Sequence, residues 1–148
     1  MGVRVQREDF DPGVELAALT DGRTDVGGLV SFTGLVRGDG GLKAMTLEHY
    51  PGMTEKALEA IEAEARERWP LLGVTVIHRI GPLAPGERIV FVAAASAHRR
   101  AAFEAADFLM DFLKTRAPFW KKEMGEDGTA RWVDARETDT TAADRWAR

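Results

Sequence analysis

The chain has 148 residues, with 20 Lys and Arg against 24 Asp and Glu, for a formal net charge of −4. This length suits one domain with a real core, and the acidic balance argues against a surface that attracts nucleic acid as a whole; a polyanion site would have to be a local basic patch. There are no cysteines, which removes disulfides, thiolate metal sites and a cysteine nucleophile together. No stretch approaches the ~20 apolar residues of a bilayer span, and the opening MGVRVQREDFDPG has no apolar run of signal-peptide length. A soluble, cytoplasmic protein is the expectation.

Val3 and Val5 alternate with Arg4 and Gln6, which predicts a short first strand. Asp11-Pro12 opens a helix, with Asp as N-cap and Pro at the first helical position, and Val14, Leu16, Ala17 and Leu19 as its buried side. Residues 27–36 (GGLVSFTGLV) read as a strand that ends at Arg37, and residues 43–50 as the next. The glycine-rich 38–41 between them predicts a hairpin with a flexible tip. Thr54 is a candidate N-cap for a helix over 55–69, where Leu58, Ile61, Ala65 and Trp69 recur at helical spacing, and Pro70 ends it.

Residues 74–80 (VTVIHRI) predict a strand, 81–86 a double turn, and 88–95 a strand apolar enough to be buried on both faces. Ser96 can cap a helix over about 98–115 with Phe103, Ala106, Met110 and Leu113 as its apolar stripe. Pro118 stops that helix and sends 119–121 out extended. A turn at 125–128 leads to a last strand at 130–135. The polar tail from 137 can fray, although Trp146 suggests that it docks. The order β α β β α β β α β β, without regular βαβ alternation, predicts a single α+β domain over 1–148 with a mixed, largely antiparallel sheet.

The stretch LMDFLKTRAPFWKKE, 109–123, combines a helix end, a forced bend, aromatic anchors and cations. Lys114 falls in the last helical turn, where the macrodipole favours a cation; completing the helix end is its plain alternative role. Lys121 follows the bend. Three extended residues cover roughly 10 Å, so the chain can lead back and let the two ammonium groups converge. A lysine held among other cations or in an apolar pocket sheds its proton more readily and can act as nucleophile or proton shuttle. The plain alternative for Lys121 and Lys122 is solvated charge on an edge strand.

Ser96-Ala97-His98-Arg99-Arg100 opens a helix, where free N–H groups and the dipole already favour an anion. Cations there oppose the dipole, which an anionic ligand would answer. Arg37, beside a glycine-rich loop, is a weaker candidate for a phosphate or carboxylate. The loop 38–41 matches no P-loop or dinucleotide fingerprint. His49, His78 and Arg79 read as structural, with no partners at ligand spacing, so no metal site is expected. There is no G-x-S-x-G elbow, and Phe119 and Trp120 read as core or interface anchors. Together the residues describe an anion-binding α+β domain with poised lysines.

The segments FTGLVR (32–37), LEHYPGMTEKAL (47–58), VIHRIGPLAPGE (76–87), SAHRRAAFEA (96–105), DFLMDFLKTRAPFWKKE (107–123) and RWVDARE (131–137) closely resemble, in order and over nearly the whole chain, the MoaE family, the large subunit of molybdopterin synthase. The loop after Arg37 is shorter than in the family.

The resemblance implies an α/β hammerhead with an additional antiparallel sheet portion. It also implies a sulfurtransferase of molybdenum cofactor biosynthesis that converts cyclic pyranopterin monophosphate to molybdopterin. Sulfur comes from the Gly-Gly thiocarboxylate of a small ubiquitin-like, MoaD-type subunit, so no cofactor is expected. The implied assembly is a heterotetramer around a homodimer of large subunits. By the same resemblance Lys114 and Lys121 are catalytic, and Arg37, His98, Arg99 and Arg136 bind substrate, Arg136 across the dimer. The competing reading is a non-catalytic scaffold that binds a Gly-Gly tail and an anion.

Overall fold

The computed structural model describes residues 2–38, 41–125 and 146, with the backbone of 130–133. The elements run β1 (Gly2–Gln6), α1 (Pro12–Thr20), β2 (Gly28–Leu35), β3 (Leu42–His49), α2 (Met53–Arg68), β4 (Leu71–Arg79), β5 (Gly81–Leu83), β6 (Arg88–Ser96), α3 (Arg99–Arg116), β7 (Phe119–Gly125) and β8 (Ala130–Val133). They form two four-stranded sheets, ordered β1-β4-β6-β2 and β5-β3-β7-β8. The first is mixed, with β1 parallel to β4 and the other pairs antiparallel; the second is antiparallel throughout. The α+β class with an additional antiparallel portion is therefore as expected.

β6 is the centre of the first sheet. Its residues from Ile89 to Ser96 are all buried, so both faces need cover and both backbone edges need partners. β4 and β2 take the edges. On one face Val90 and Val92 join Leu58 and Ile61 of α2, Phe108, Leu109 and Leu113 of α3, and Met45 and Leu47 of β3 in the main core. On the other, Phe91 and Ala93 pack with Ile77, Phe10 and Leu19 under α1.

This arrangement overturns the expected hairpin of residues 27–36 and 43–50. β2 pairs with β6 and β3 with β5 and β7, because the open edge of β6 claims β2, and Met45 and Leu47 find their burial from the second sheet. Residues 81–83 are a strand on β3 and not only a turn.

The helix caps also differ from expectation. Asp11 caps α1 as predicted, accepting from the Gly13 and Val14 amides; of the apolar residues expected beneath it only Leu19 is buried, and Val14 is 63% exposed. Gly52, at φ 85°, occupies the N-cap of α2, where a positive φ suits glycine alone, and Glu55 accepts from its amide. Thr54 lies inside that helix. Ser96 ends β6 and donates to the Pro70 carbonyl, so it does not cap α3. The buried face of α3 is Ala102, Ala105, Ala106, Phe108, Leu109, Phe112 and Leu113, which leaves the expected Phe103 61% exposed.

Two ties hold the ends of the chain. Arg79, buried at the end of β4, donates to the Arg7 carbonyl through Nε and Nη2 and to the Arg88 carbonyl through Nη1. Arg88 forks onto Asp9 at 3.0 and 2.8 Å. Trp146 docks as anticipated: its Nε1 donates to Asp111 at 2.5 Å, its ring meets Trp69 and Phe108 edge-on, and Arg68 donates to its carbonyl. The predicted turn at 125–128, the end of the last strand and the remaining tail lie largely outside the described residues.

Candidate active site

Lys114 stands in the last turn of α3, exposed. The helix stops where Ala117 turns extended ahead of Pro118, as the proline requires. The Phe119 amide donates to the Ala117 carbonyl at 2.9 Å, closing a three-residue turn on Pro118. β7 then leaves as an alternating strand: Phe119, Lys121 and Glu123 are half-buried, while Trp120, Lys122 and Met124 are exposed. Lys121 therefore shares the inner face with Phe119, opposite Leu47 of β3.

His78 touches one lysine-bearing segment and lies within electrostatic reach of the other lysine. Its ring stacks on Phe119 with centroids 3.8 Å apart and planes 20° from parallel. His78 is 3% exposed, and its Nδ1 lies 2.8 Å from the Arg79 carbonyl. A carbonyl only accepts, so Nδ1 carries the proton. Burial, then the nearby Lys114 charge, with a smaller push from His49, hold the imidazole pKa down to about 3 against the opposing pull of that hydrogen bond. The ring is thus neutral at pH 7. His49 lies opposite Phe119 in the β3–β7 register and 3.5 Å from Glu55. The bend is also pinned from α2: Thr54, fully buried, donates through Oγ1 to the Pro118 carbonyl at 2.9 Å and accepts from the Tyr50 amide at 3.0 Å.

The remaining candidates divide between two ends of the molecule. Arg37 follows β2 where Leu35 pairs with Arg88, and His78 pairs with Val90, so Arg37 shares an end of the first sheet with Lys114. His98 and Arg99 begin α3 at the far end of β6, fifteen residues from Lys114, or about 22 Å along a helix. Within one chain they do not stand beside the lysines but form a second, separate cationic group. They are exposed and, with Arg100, Phe103 and Glu104, line a separate open cavity of about 360 Å³. Gly27 sets α3 against β2 there, since a Cβ on it would fall 2.0 Å from the Ala97 carbonyl oxygen. Arg136 lies outside the described residues.

Thr54, expected as a cap, and His49 and His78, expected to be structural, all pack around the bend. The available signal was His78 itself, a polar ring in a strand otherwise apolar on that face. Among the described residues no three His, Asp or Glu gather as a metal site, and no helix is long and apolar enough to cross a membrane.

The fold coincides with that of known proteins. A family model described as "MoaE protein" matches residues 5–116. The chain is 65% identical to a molybdopterin synthase catalytic subunit of Mesorhizobium japonicum over 97% of its own length and 92% of the relative's. A solved molybdopterin biosynthesis MoaE protein from Burkholderia ambifaria superposes with a TM-score of 0.86 at 52% identity, covering 99% of this chain and 98% of that one. A chain from the complex of subunits 1 and 2 of molybdopterin-converting factor from Helicobacter pylori shares the fold, with a TM-score of 0.71 at 19% identity and coverage of 91% and 90%. The chain belongs to the MoaE family, whose curated members include catalytic subunits of molybdopterin synthase.

Proposed function

We propose that this chain is the catalytic subunit of a molybdopterin synthase, a sulfurtransferase that converts cyclic pyranopterin monophosphate to molybdopterin with a thiocarboxylated Gly-Gly carrier as donor. The observation that carries this reading is the placing of Lys114 and Lys121 on either side of one proline bend, beside a buried His78. Both reactants are anions, one a thiocarboxylate and the other a phosphate-bearing pterin. A cationic, partly desolvated pocket holds them together and stabilises charge that develops on the donor carbonyl. Lys114 takes the place nearest the donor's terminal glycine, and Lys121 assists proton transfer or holds the oxyanion. The sulfur comes from the carrier, so the reaction needs no bound cofactor, and the protein works in the cytoplasm as one domain over 1–148.

Arg37 stands at the lysine end and contacts substrate from the same chain. His98 and Arg99 are too distant to do so, and their phosphate-binding role requires a second copy, which also brings Arg136. The exposed Phe32, Leu35 and Phe103 supply apolar surface for such a homodimer, with one small carrier subunit on each large one. The test is reconstitution: purified protein, thiocarboxylated carrier and cyclic pyranopterin yield a dithiolene pterin, detected by mass and fluorescence. Carrier and pterin binding without product would leave a scaffold and refute the enzyme.

A further inference from the structure

The turn on Pro118 is closed by a hydrogen bond from Phe119 to Ala117. That bond fixes the shape of the bend but not its direction relative to the sheets. Direction is supplied from outside by two groups that act on adjacent residues. Thr54 reaches Pro118 from 64 positions away in sequence, with its hydroxyl used both as donor to that carbonyl and as acceptor from Tyr50. His78 lies flat on Phe119, and the hydrogen bond to the Arg79 carbonyl prevents its ring from turning.

We propose that Thr54 and His78 are positioning residues for the two lysines: by holding the Pro118 carbonyl and the Phe119 ring, they set the angle at which β7 leaves α3 and so the place of Lys121 relative to Lys114. The claim rests on the sulfur-transfer reading for its kinetic consequence, but not for its geometry. β7 is paired with β3 along its whole length, from Phe119 to Gly125. Loss of the Thr54 bond therefore keeps the strand paired with β3 while letting the bend and the start of β7, through Lys121, shift against the end of α3. A histidine also suits the second position better than a pure hydrocarbon. It packs as an aromatic, is locked by its own N–H, and adds no third cation beside the lysine segments.

The test compares Thr54→Val, which keeps shape and loses the hydroxyl, with Thr54→Ser, which keeps the hydroxyl, both assayed with the thiocarboxylated carrier. Small displacements of reacting groups cost one to two orders of magnitude in rate. The expected result for Thr54→Val is a kcat lowered about tenfold or more, KM for the pterin within about twofold of wild type, and recovery of most activity in Thr54→Ser. In 1H–15N spectra of the protein alone, the Phe119 and Lys121 amides shift in the valine variant and return in the serine one. His78→Leu repeats the kcat loss, and the Thr54→Val/His78→Leu double variant falls short of the product of the two, because both act through one bend.

Wild-type kcat in Thr54→Val overturns the proposal, as does a kcat loss without movement at Lys121 or without rescue by serine. Should the wild type make no dithiolene pterin at all, the functional reading fails, and the amide shifts alone decide the positioning claim.

Discussion

The two ends of α3 both carry cations, and they carry them for opposite reasons. At the C-terminal end Lys114 and Arg116 sit where the helix dipole welcomes positive charge. Arg116 is further occupied by Glu64 at 2.7 Å and by the Phe112 ring at 3.9 Å. At the N-terminal end His98, Arg99 and Arg100 oppose the dipole, with no acidic residue in the first turn and no side-chain cap. A favourable helix end explains a lysine without function; an unfavourable one does not explain an arginine pair. The cations at the N-terminal end therefore call for an anionic partner, whereas those at the C-terminal end are already favoured by the helix itself.

The largest effect expected from breaking this comparison is at Lys114. Lys114→Ala lowers conversion of the pterin by about 100-fold or more, the scale of losing a group that acts on the reacting atoms. Stability falls by less than about 1 kcal/mol, the scale of a dipole interaction. Single-turnover product analysis and urea unfolding read the two separately, and near-normal turnover would remove Lys114 from catalysis. Next comes the division between copies. Arg99→Ala weakens pterin binding about tenfold, as for one lost charged hydrogen bond, while leaving the helix as stable or slightly more so. If each site takes Lys114 from one copy and Arg99 from the other, co-refolding Lys114→Ala with Arg99→Ala gives mixed dimers with one intact site. About a quarter of wild-type activity returns by random pairing within a two-fold dimer. No gain over the separate variants would refute a site shared between the two copies.

The narrowest effect, confined to acid pH, is on stability. His78 titrates at about 3 in the fold against 6.5 as a free side chain. Between those values the unfolded chain binds a proton that the folded chain refuses, so stability falls as pH drops through that window, by up to about 1.4 kcal/mol per pH unit. The charges around it are Lys114 and His49, with Glu55 beside the latter. Asp9 and Glu87 are held below the usual carboxylate range, Asp9 first by its hydrogen bond from Arg88 and Glu87 first by one from the Ala84 amide. Their contribution is present above the ordinary values of 4.5 for Glu87 and 3.8 for Asp9 and is lost as pH falls below them, so it overlaps only the lower part of the His78 window. His78→Gln should flatten the urea-unfolding free energy between pH 6.5 and 5, and an unchanged slope there would refute the assignment.

Most elements were legible in the sequence because local rules decide them. Asp11-Pro12 starts a helix, Pro70 and Pro118 stop two, and the apolar run at 88–95 demands burial on both faces. The pairing was not legible. Whether residues 27–36 join residues 43–50 or β6 depends on which open edge is available, and periodicity carries no record of that. The site divides in the same way. Lys114 and Lys121 were visible because a proline lies between them, and Arg37, His98 and Arg99 because cations stand at element ends. The separation of the last two from the lysines follows from α3 running back along β6, and the roles of Thr54 and His78 from contacts that no spacing encodes.

The bond from Thr54 to Pro118 spans 64 positions, and β7 finds β3 across a still longer interval. Contacts of that range raise the loop-closure cost of reaching this arrangement. The bend between the two lysines is held only once β3, the start of α2, His78 of β4 and the segment after α3 have met, so the candidate site depends on the whole fold and on no single local element.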